Sequence, residues 1–468
     1  MGGIVHIQVG HCGNNIGNKF WEIISDEHGI GPDGTYKGDS PLQLERIGVY
    51  FDEMKEKKYF PRAILVDLEP EISNSLFSPT YRKLFRPDNF VFGKGSTSNL
   101  WPRGFYGEGR KFAGQVLNVV RKEVERIDYL QGFHLTHSLG GGTGSGLGSV
   151  LISRLNDQYP KHLMSSFSVF PSTKVLSTAV DSYNTVLSIN EFAENVHEIF
   201  CIDNEALYDI CLRKLEDSEP TNDDLNHLAS MVMSGITSCL RFPGRWNLDK
   251  LAVNMTPYPK LHFLMSGFAP LVASGPLEVN ALIQQVAFRS ISQIIVFITF
   301  QLQLDFLLFD ARNMITACDP TNGHCMVATA MFRGPISMHE LKTRIINSEN
   351  KKSSLVAEWI PNNITLDLCK MPAPKTTING TFLANTTAIK EMFIRIAKGF
   401  KAIFRKKAFF HLYKNEGMDE LEFIEAENTV KSLISEYQRC QDMDAKNKDE
   451  VISNQLLMAN DVKQPNQK

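Results

Sequence analysis

The sequence predicts an α/β fold built on a mostly parallel sheet with helices on both faces. Short apolar runs alternate with stretches of helical spacing through the first half of the chain, as in strands joined by crossover helices. A glycine-rich stretch directly follows one of these runs, where parallel sheets carry their ligand loops. The five predicted strands are residues 4–9, 63–68, 132–136, 166–170 and 197–202.

The glycine-rich stretch, residues 136–146, reads THSLGGGTGSG. Alternation in the preceding residues predicts a strand, and the spacing of Leu147, Leu151 and Leu155 predicts a helix after it. Only glycine lets backbone N–H groups close on an anion without a Cβ in the way, and a helix N-terminus adds unpaired donors and a favourable dipole. We interpret the stretch as a cradle for nucleotide phosphates; for such a run taken alone, a plain flexible turn is the alternative.

Two common nucleotide-binding motifs do not occur at these positions. Residues 136–146 lack the lysine of a Walker A loop, so backbone dipoles and a metal ion must offset the phosphate charge. Gly10, Gly13 and Gly17 follow the first strand, but they do not form the G-x-G-x-x-G of dinucleotide enzymes. A dinucleotide-dependent oxidoreductase is therefore only a distant alternative.

Length and composition fit a globular chain. Its 468 residues, 43% of them hydrophobic, indicate about three domains. The formal net charge of −3 does not favour nucleic acid as a partner. Eight cysteines without C-x-x-C or zinc spacing indicate reduced thiols. With no signal-peptide pattern at the start and the apolar run 294–300 too short to cross a bilayer, we expect a cytoplasmic protein without membrane contact.

Motifs along most of the chain resemble those of tubulins. The glycine loop 140–146 is the tubulin signature loop, and the short segment between Pro361 and Phe382 is similar to β-tubulin rather than α-tubulin. The chain is therefore identified as a divergent member of the β-tubulin group. The other matching stretches are IVHIQVGHCGN at 4–14, PRAILVDLEP at 61–70, CIDNEALYD at 201–209, DLNHL at 224–228, CLRFPG at 239–244, EWIPNN at 358–363 and GMDE at 417–420.

The resemblance implies a Rossmann-like sheet, a second α/β domain and a C-terminal helical hairpin. Helical spacing around 225–240 predicts a core helix, and apolar stripes after residues 388 and 426 predict the two packed C-terminal helices. The implied domains are a GTP-binding domain at 1–205, an intermediate domain with the core helix and lateral contacts at 206–384, C-terminal helices at 385–440 and a disordered tail at 441–468.

The resemblance also implies GTP and Mg²⁺ as ligands. Glu69 ends a predicted strand, and the matching family position serves the metal ion through its hard oxygen donors. Asn204 and Asn226 carry the paired donor and acceptor that an amide offers to a guanine edge. No catalytic residue is assigned to this chain. The implied nucleotide-binding residues are His11, Glu69, Ser138, Gly142, Thr143, Gly144, Asn204 and Asn226.

Several residues depart from the family pattern at this site. His11 and Asn15 stand where tubulins carry glutamine, and Asn222 replaces the tyrosine that stacks on the base. Loss of stacking on a base costs roughly 1–3 kcal/mol in other nucleotide complexes, so we expect weaker binding. The sequence STSN at 96–99 replaces a glycine-rich loop near the third phosphate, and Ser177 replaces a ribose-facing aspartate.

The implied function is that of a GTP-binding subunit that pairs with α-tubulin and forms microtubules of the cytoskeleton. The partner would supply the acidic residue that completes a weak GTPase coupled to assembly. Lys250 stands where β-tubulins carry a lysine that contacts the partner's nucleotide. Microtubule-associated proteins and motors are further implied partners. The alternative is a diverged relative that binds GTP weakly and does not polymerise.

Two segments differ from the family. Residues 272–308 are longer than expected, and alternation over 298–306 predicts a half-buried strand. A real insertion and a misassigned splice boundary both remain open, and either would affect lateral assembly. After Gln441, five acids and four lysines form a nearly neutral tail that we expect to be disordered.

Overall fold

The computed structural model describes residues 2–54, 57–70, 81–172, 178–214, 220–269, 311–339, 363–373 and 378–461. Within these ranges, ten strands form one sheet and two more form a small hairpin. The strands are β1 Gly3–Val9, β2 Phe51–Met54, β3 Lys58–Pro61, β4 Ala63–Asp67, β5 Phe90–Phe92, β6 Leu130–Ser138, β7 Leu163–Phe170, β8 Glu198–Asp203, β9 Phe263–Ala269, β10 Cys325–Arg333, β11 Ile364–Cys369 and β12 Asn379–Thr386.

Helices cover the sheet and form the C-terminal part of the chain. They are α1 Gly10–Glu27, α2 Trp101–Phe105, α3 Glu108–Val124, α4 Gly148–Gln158, α5 Asp181–Asn195, α6 Asn204–Lys214, α7 Asn222–Arg241, α8 Leu248–Met255, α9 Lys390–Phe404, α10 Phe410–Asn415 and α11 Glu420–Asp461. None of the helices in the described part of the chain is long and apolar enough to cross a membrane.

The first half of the sheet is parallel, with the order β8-β7-β6-β1-β4-β5. The chain builds outward from β1 to one side through β4 and β5, and then to the other side through β6, β7 and β8. This is the doubly wound order in which connections from β1 and β6 leave in opposite directions and open a crevice between them. Each of the five strands predicted for the first half of the chain is present, and the α/β fold class is confirmed.

Burial explains why these segments become strands. All seven residues of β1 and all six of β8 are buried, because helices cover both faces of the sheet. A parallel strand of this kind has a nearly continuous apolar run rather than strict alternation. The apolar runs in the sequence therefore indicate buried parallel strands.

The second half continues the same sheet in the order β11-β10-β12-β9, with β9 parallel to β8. Among the described strands of this ten-stranded sheet, only the two pairings of β12 are antiparallel. Helix α7 packs beside α1, so the predicted core helix is present. The four domain boundaries themselves stay predictions.

The two predicted C-terminal helices are α9 and α11, and their apolar stripes pack together. Phe393 and Phe400 of α9 and Phe423 and Tyr437 of α11 are fully buried. Helix α11 continues to Asp461, whereas the sequence analysis predicts a disordered tail from residue 441. Adding a residue to an existing helix is far easier than starting one, so the packed part of α11 supports helix beyond the last buried turn.

Some predictions fall outside the described residues. They are the long segment at 272–308, its strand at 298–306, most of the EWIPNN motif and the final residues 462–468.

A buried ion triad joins α1, α7 and β10. The carboxylate of Glu27 pairs with Arg241 and Arg333 at 2.7 Å each, and accepts a hydrogen bond from Ser234 Oγ, also at 2.7 Å. Both guanidiniums lie over the ring of Phe242, 5.2 and 5.4 Å from its centroid. Burial raises the pKa of the Glu27 carboxyl, but the two arginines outweigh burial and hold the pKa at about 2. The triad therefore ties the first half of the sheet to the second with ionised groups.

We predict that Glu27→Gln lowers the free energy of unfolding by about 3–5 kcal/mol, because it leaves two buried guanidiniums without a counter-charge. The pKa of the carboxyl falls from 4.5 to about 2 on folding, so its contribution is complete above pH 4.5 and disappears as the pH drops towards 2. Urea unfolding of wild type and variant at several pH values measures both effects, and the two proteins should converge in acid.

The matched control is Glu22→Gln on the same helix, where the carboxylate is partly exposed and lies 3.9 Å from Lys19. Its effect should stay within about 1 kcal/mol. If Glu27→Gln is equally mild, the triad does not hold the two halves together.

Candidate nucleotide-binding site

The crevice between β1 and β6 brings two loops into direct contact. Gly10 begins α1 with φ +76°, and a Cβ built on it would lie 3.0 Å from the backbone nitrogen of Gly144. A Cβ on Gly144 would lie 2.7 Å from the carbonyl oxygen of Ser138. Both positions favour glycine: Gly144 because its backbone approaches Ser138 more closely than a Cβ allows, and Gly10 because of its left-handed φ together with its tight approach to Gly144.

The glycine loop turns directly into a helix. Residues Thr143–Leu147 form a π-helical turn that continues into α4. A Cβ on Gly142 would lie 2.5 Å from Thr97 Oγ1 and 2.8 Å from the backbone nitrogen of Leu100, whereas one on Gly141 would meet no described atom within 4 Å. The loop is therefore closed on one side and open at Gly141, next to the unpaired N–H groups that begin a helix.

A neutral histidine forms the floor of this loop. His137 Nδ1 lies 3.0 Å from the carbonyl oxygen of Gly144, and Nε2 lies 3.0 and 2.9 Å from the hydroxyls of Ser166 and Ser168. A carbonyl can only accept, so Nδ1 carries the proton and Nε2 accepts from the serines. Burial lowers the pKa of His137 to about 3, and Phe192 stacks on its ring.

The loop at 96–99 links the glycine loop to the predicted metal residue. Thr97 Oγ1 lies 3.3 Å from Thr143 Oγ1, and Ser96 Oγ donates to Glu69 Oε1 at 2.5 Å. Ser98 and Asn99 take left-handed backbone angles, φ 49° and 57°, although neither is glycine. Such strain persists only where surrounding contacts hold it.

The residues at the end of β4 fit a hard cation. Burial raises the pKa of Asp67 to about 7, and its Oδ2 has no hydrogen-bond partner among the described residues. Its Oδ1 accepts from the backbone N–H of Glu69 at 3.2 Å. No group of three or more His, Cys, Asp or Glu side chains that could hold a metal ion occurs in the described ranges. A small number of protein ligands is sufficient for Mg²⁺, because this ion binds mainly water and phosphate oxygens and takes only one or two carboxylates from the protein.

The remaining predicted residues are carried by three helices. His11 is exposed in the first turn of α1, and Asn204 begins α6 directly after β8. Asn226 lies on α7 between two contacts to α1, in which Asp223 pairs with Lys19 and Ser230 Oγ donates to the carbonyl oxygen of Ile16. The parallel strands therefore bring the predicted phosphate and metal residues and Asn204 to one edge, whereas Asn226 is positioned by the packing of α7 on α1.

Two family models match the chain. The GTPase domain of the Tubulin/FtsZ family matches residues 3–212, and the tubulin C-terminal domain matches residues 259–398. The chain belongs to the tubulin family. GTP binding follows from this family membership, whereas the β subtype, the metal ion and the partner are separate questions.

Four residues at this tubulin site are not in the set of nucleotide-binding residues implied by the sequence. Asn14 Nδ2 donates to the carbonyl oxygens of Gly10 and Val66, 3.0 Å each, and so fixes the first turn of α1 against β4. The others are Thr97, His137 and Asn184. Each of these side chains has at least one partner 29 or more residues away in the chain, so local spacing alone does not mark them.

The departures from the tubulin pattern have different structural settings. Asn222 is an exposed residue in the first turn of α7, after a capping box in which Thr221 and Asp224 satisfy each other's backbone N–H groups. Asn15 is half-buried, and Ser177 lies outside the described residues. The exposed Asn222 has no ring to cover a base.

We predict that Gly142→Ala weakens GTP binding roughly tenfold or more, because overpacking of this kind typically costs 1–3 kcal/mol. The new methyl must displace Thr97 and the backbone of Leu100. Equilibrium binding of a fluorescent GTP analogue measures the change.

The matched control is Gly114→Ala on α3, where an added Cβ meets nothing within 4 Å in the described structure. It should leave GTP affinity unchanged. Equal affinities for all three proteins would show that the glycine loop does not contact the nucleotide.

Proposed function

We propose that this chain is a β-tubulin-like GTP-binding subunit that pairs head to tail with α-tubulin and forms microtubules, as a structural constituent of the cytoplasmic cytoskeleton. The observation that carries the proposal is the contact between Gly10 and Gly144 at the crevice of the sheet. It joins the first turn of α1 to a glycine loop that faces open space at Gly141. Two helix N-termini thus converge where a nucleotide's phosphates fit.

Each predicted residue has a role in this proposal. Ser138, Gly142, Thr143 and Gly144 line the phosphate loop, and His11 lies beside it in the first turn of α1. Glu69, with Asp67 behind it, would hold Mg²⁺, which supplies positive charge against the phosphates. Asn204 and Asn226 offer amide groups to the guanine edge.

Hydrolysis would depend on the partner subunit in this proposal. Asp249 and Lys250 are exposed in the first turn of α8, away from the glycine loop in sequence. Among the residues that the structure describes, Lys250 Nζ donates only to the carbonyl oxygen of Arg245, at 3.2 Å. An exposed ammonium group with a single weak backbone contact can move to an anionic partner at little cost.

One observation supports the alternative of a relative that binds GTP weakly and does not polymerise. The exposed Asn222 cannot stack on a base, and stacking contributes roughly 1–3 kcal/mol in other nucleotide complexes. The distant alternative of a dinucleotide-dependent oxidoreductase has no support in the family match.

We predict that GTP with Mg²⁺ raises the apparent melting temperature of the purified chain. A ligand at 1,000 times its Kd stabilises the native state by about 4 kcal/mol, so millimolar GTP should act even at micromolar affinity. Differential scanning fluorimetry with GTP, ATP and NAD measures the shift, and Gly142→Val should abolish it. An equal shift with NAD, or no shift with GTP, would contradict nucleotide binding of this kind.

We predict that the chain forms a one-to-one complex with α-tubulin and enters microtubules on co-assembly. Lys250→Glu should weaken the complex several-fold, and more at low salt, because it reverses an exposed charge at the proposed interface. Lys122→Glu, on the exposed end of α3, is the control that should have little effect. A stable complex that stays out of the polymer would favour the non-polymerising alternative.

A further inference from the structure

A buried amide on α5 holds together three segments at the candidate site. Asn184 Nδ2 donates to the carbonyl oxygen of Gly140 at 2.6 Å and to that of Asn99 at 2.8 Å. Its Oδ1 accepts from the backbone N–H of Trp101 at 3.0 Å and from the hydroxyl of Tyr413 at 2.7 Å. The side chain is completely buried.

Only an amide fits these four partners. Two carbonyl oxygens need donors, while an N–H and a hydroxyl need an acceptor, and asparagine supplies two of each. An aspartate of the same shape would place a negative charge against two carbonyl oxygens. The N–H of Trp101 and the two carbonyl oxygens fix which way the amide points, since a flipped amide would oppose like groups at these three positions, whereas the hydroxyl of Tyr413 can donate or accept.

The contacts of Asn184 determine which backbone groups of the glycine loop face an anion. The carbonyl oxygen of Gly140 is turned inward to Asn184 Nδ2, so its partial negative charge is kept away from the open side at Gly141. The same Nδ2 donates to the carbonyl oxygen of Asn99, a residue with a left-handed backbone conformation. One side chain thus sets the spacing between the glycine loop and the loop at 96–99.

We propose that Asn184 is a positioning residue for the phosphate loop and determines its preference for a nucleoside triphosphate over a diphosphate. This inference rests on the proposed function, because it assumes that the glycine loop binds guanine nucleotide. The loop at 96–99 contacts the glycine loop through Thr97 and contacts Glu69 through Ser96, so it lies between the phosphate cradle and the proposed metal residue. Displacing it should weaken contacts to the terminal phosphate more than contacts to the first two.

Tyr413 brings the C-terminal helices into this arrangement. Its hydroxyl is contributed by α10, 229 residues away from Asn184 in sequence, and the tyrosine is fully buried. Tyr183, in the same aromatic cluster, donates its hydroxyl to the carbonyl oxygen of Ala408 at 2.9 Å, and within the described part of the chain its hydroxyl makes no hydrogen bond to the phosphate loop. The two tyrosines therefore form a matched pair for a test.

The experiment compares Asn184→Asp, Tyr413→Phe and the control Tyr183→Phe in the full chain. Equilibrium binding of GTP and of GDP to each gives the ratio of the two affinities. Asn184→Asp should lower GTP affinity at least tenfold and GDP affinity less. Tyr413→Phe keeps the Asn184 amide and should fold more readily than Asn184→Asp. It should lower GTP affinity roughly 2- to 10-fold, as expected for one lost hydrogen bond. Tyr183→Phe should leave the ratio unchanged.

Hydrogen exchange without added nucleotide provides a second measurement that does not depend on GTP. Residues 96–101 and 139–146 should both exchange faster in Asn184→Asp and Tyr413→Phe, but not in Tyr183→Phe. A ratio of GTP affinity to GDP affinity that stays at the wild-type value in both test variants would overturn the proposal. Equal changes of this ratio in all three variants, including Tyr183→Phe, would overturn it as well. If wild type binds no guanine nucleotide but exchange rises in both segments, the proposed function fails while the loop-positioning role of Asn184 stands.

Discussion

The reversal of strand order beside β1 is the constraint on which the rest of the molecule depends. Because the chain leaves β1 on one side and β6 on the other, no connection covers the gap between their carboxyl ends. Two loops and two helix N-termini fill that gap, and they do so at a spacing that excludes side chains at Gly10 and Gly144. The unusual density of glycine in this part of the sequence follows from that geometry.

The continuous sheet has a second consequence, because the two halves of the chain share one core instead of meeting at a wet surface. The Glu27 triad lies where α1, α7 and β10 come together and places three charges in that core. Ionised groups are costly to bury, and they are retained here with each guanidinium paired to the Glu27 carboxylate and with a ring beneath both guanidiniums. Directional contacts of this kind fix one arrangement of the two halves, which apolar packing alone specifies less sharply.

The fold and the glycine loop could be predicted from the sequence because both are local signals. Buried parallel strands are apolar runs, and a loop that admits no Cβ must be glycine. The contacts of Asn184, Thr97 and His137 could not be predicted in this way, because their partners are 46 or 229 residues away, or lie on a neighbouring strand. The extent of α11 was also missed, since polar composition argues for disorder while helix propagation depends on the packed residues before it.

The histidine beneath the glycine loop has a consequence for the electric field at the crevice. Histidine is the side chain that ordinarily changes charge near neutrality, but desolvation keeps His137 uncharged throughout that range. Its fixed tautomer contributes a dipole of constant sign and direction to the floor of the loop. The floor therefore presents the same potential to an anion at mildly acidic pH as at neutral pH, and the loop adopts its shape without protonation of Nε2.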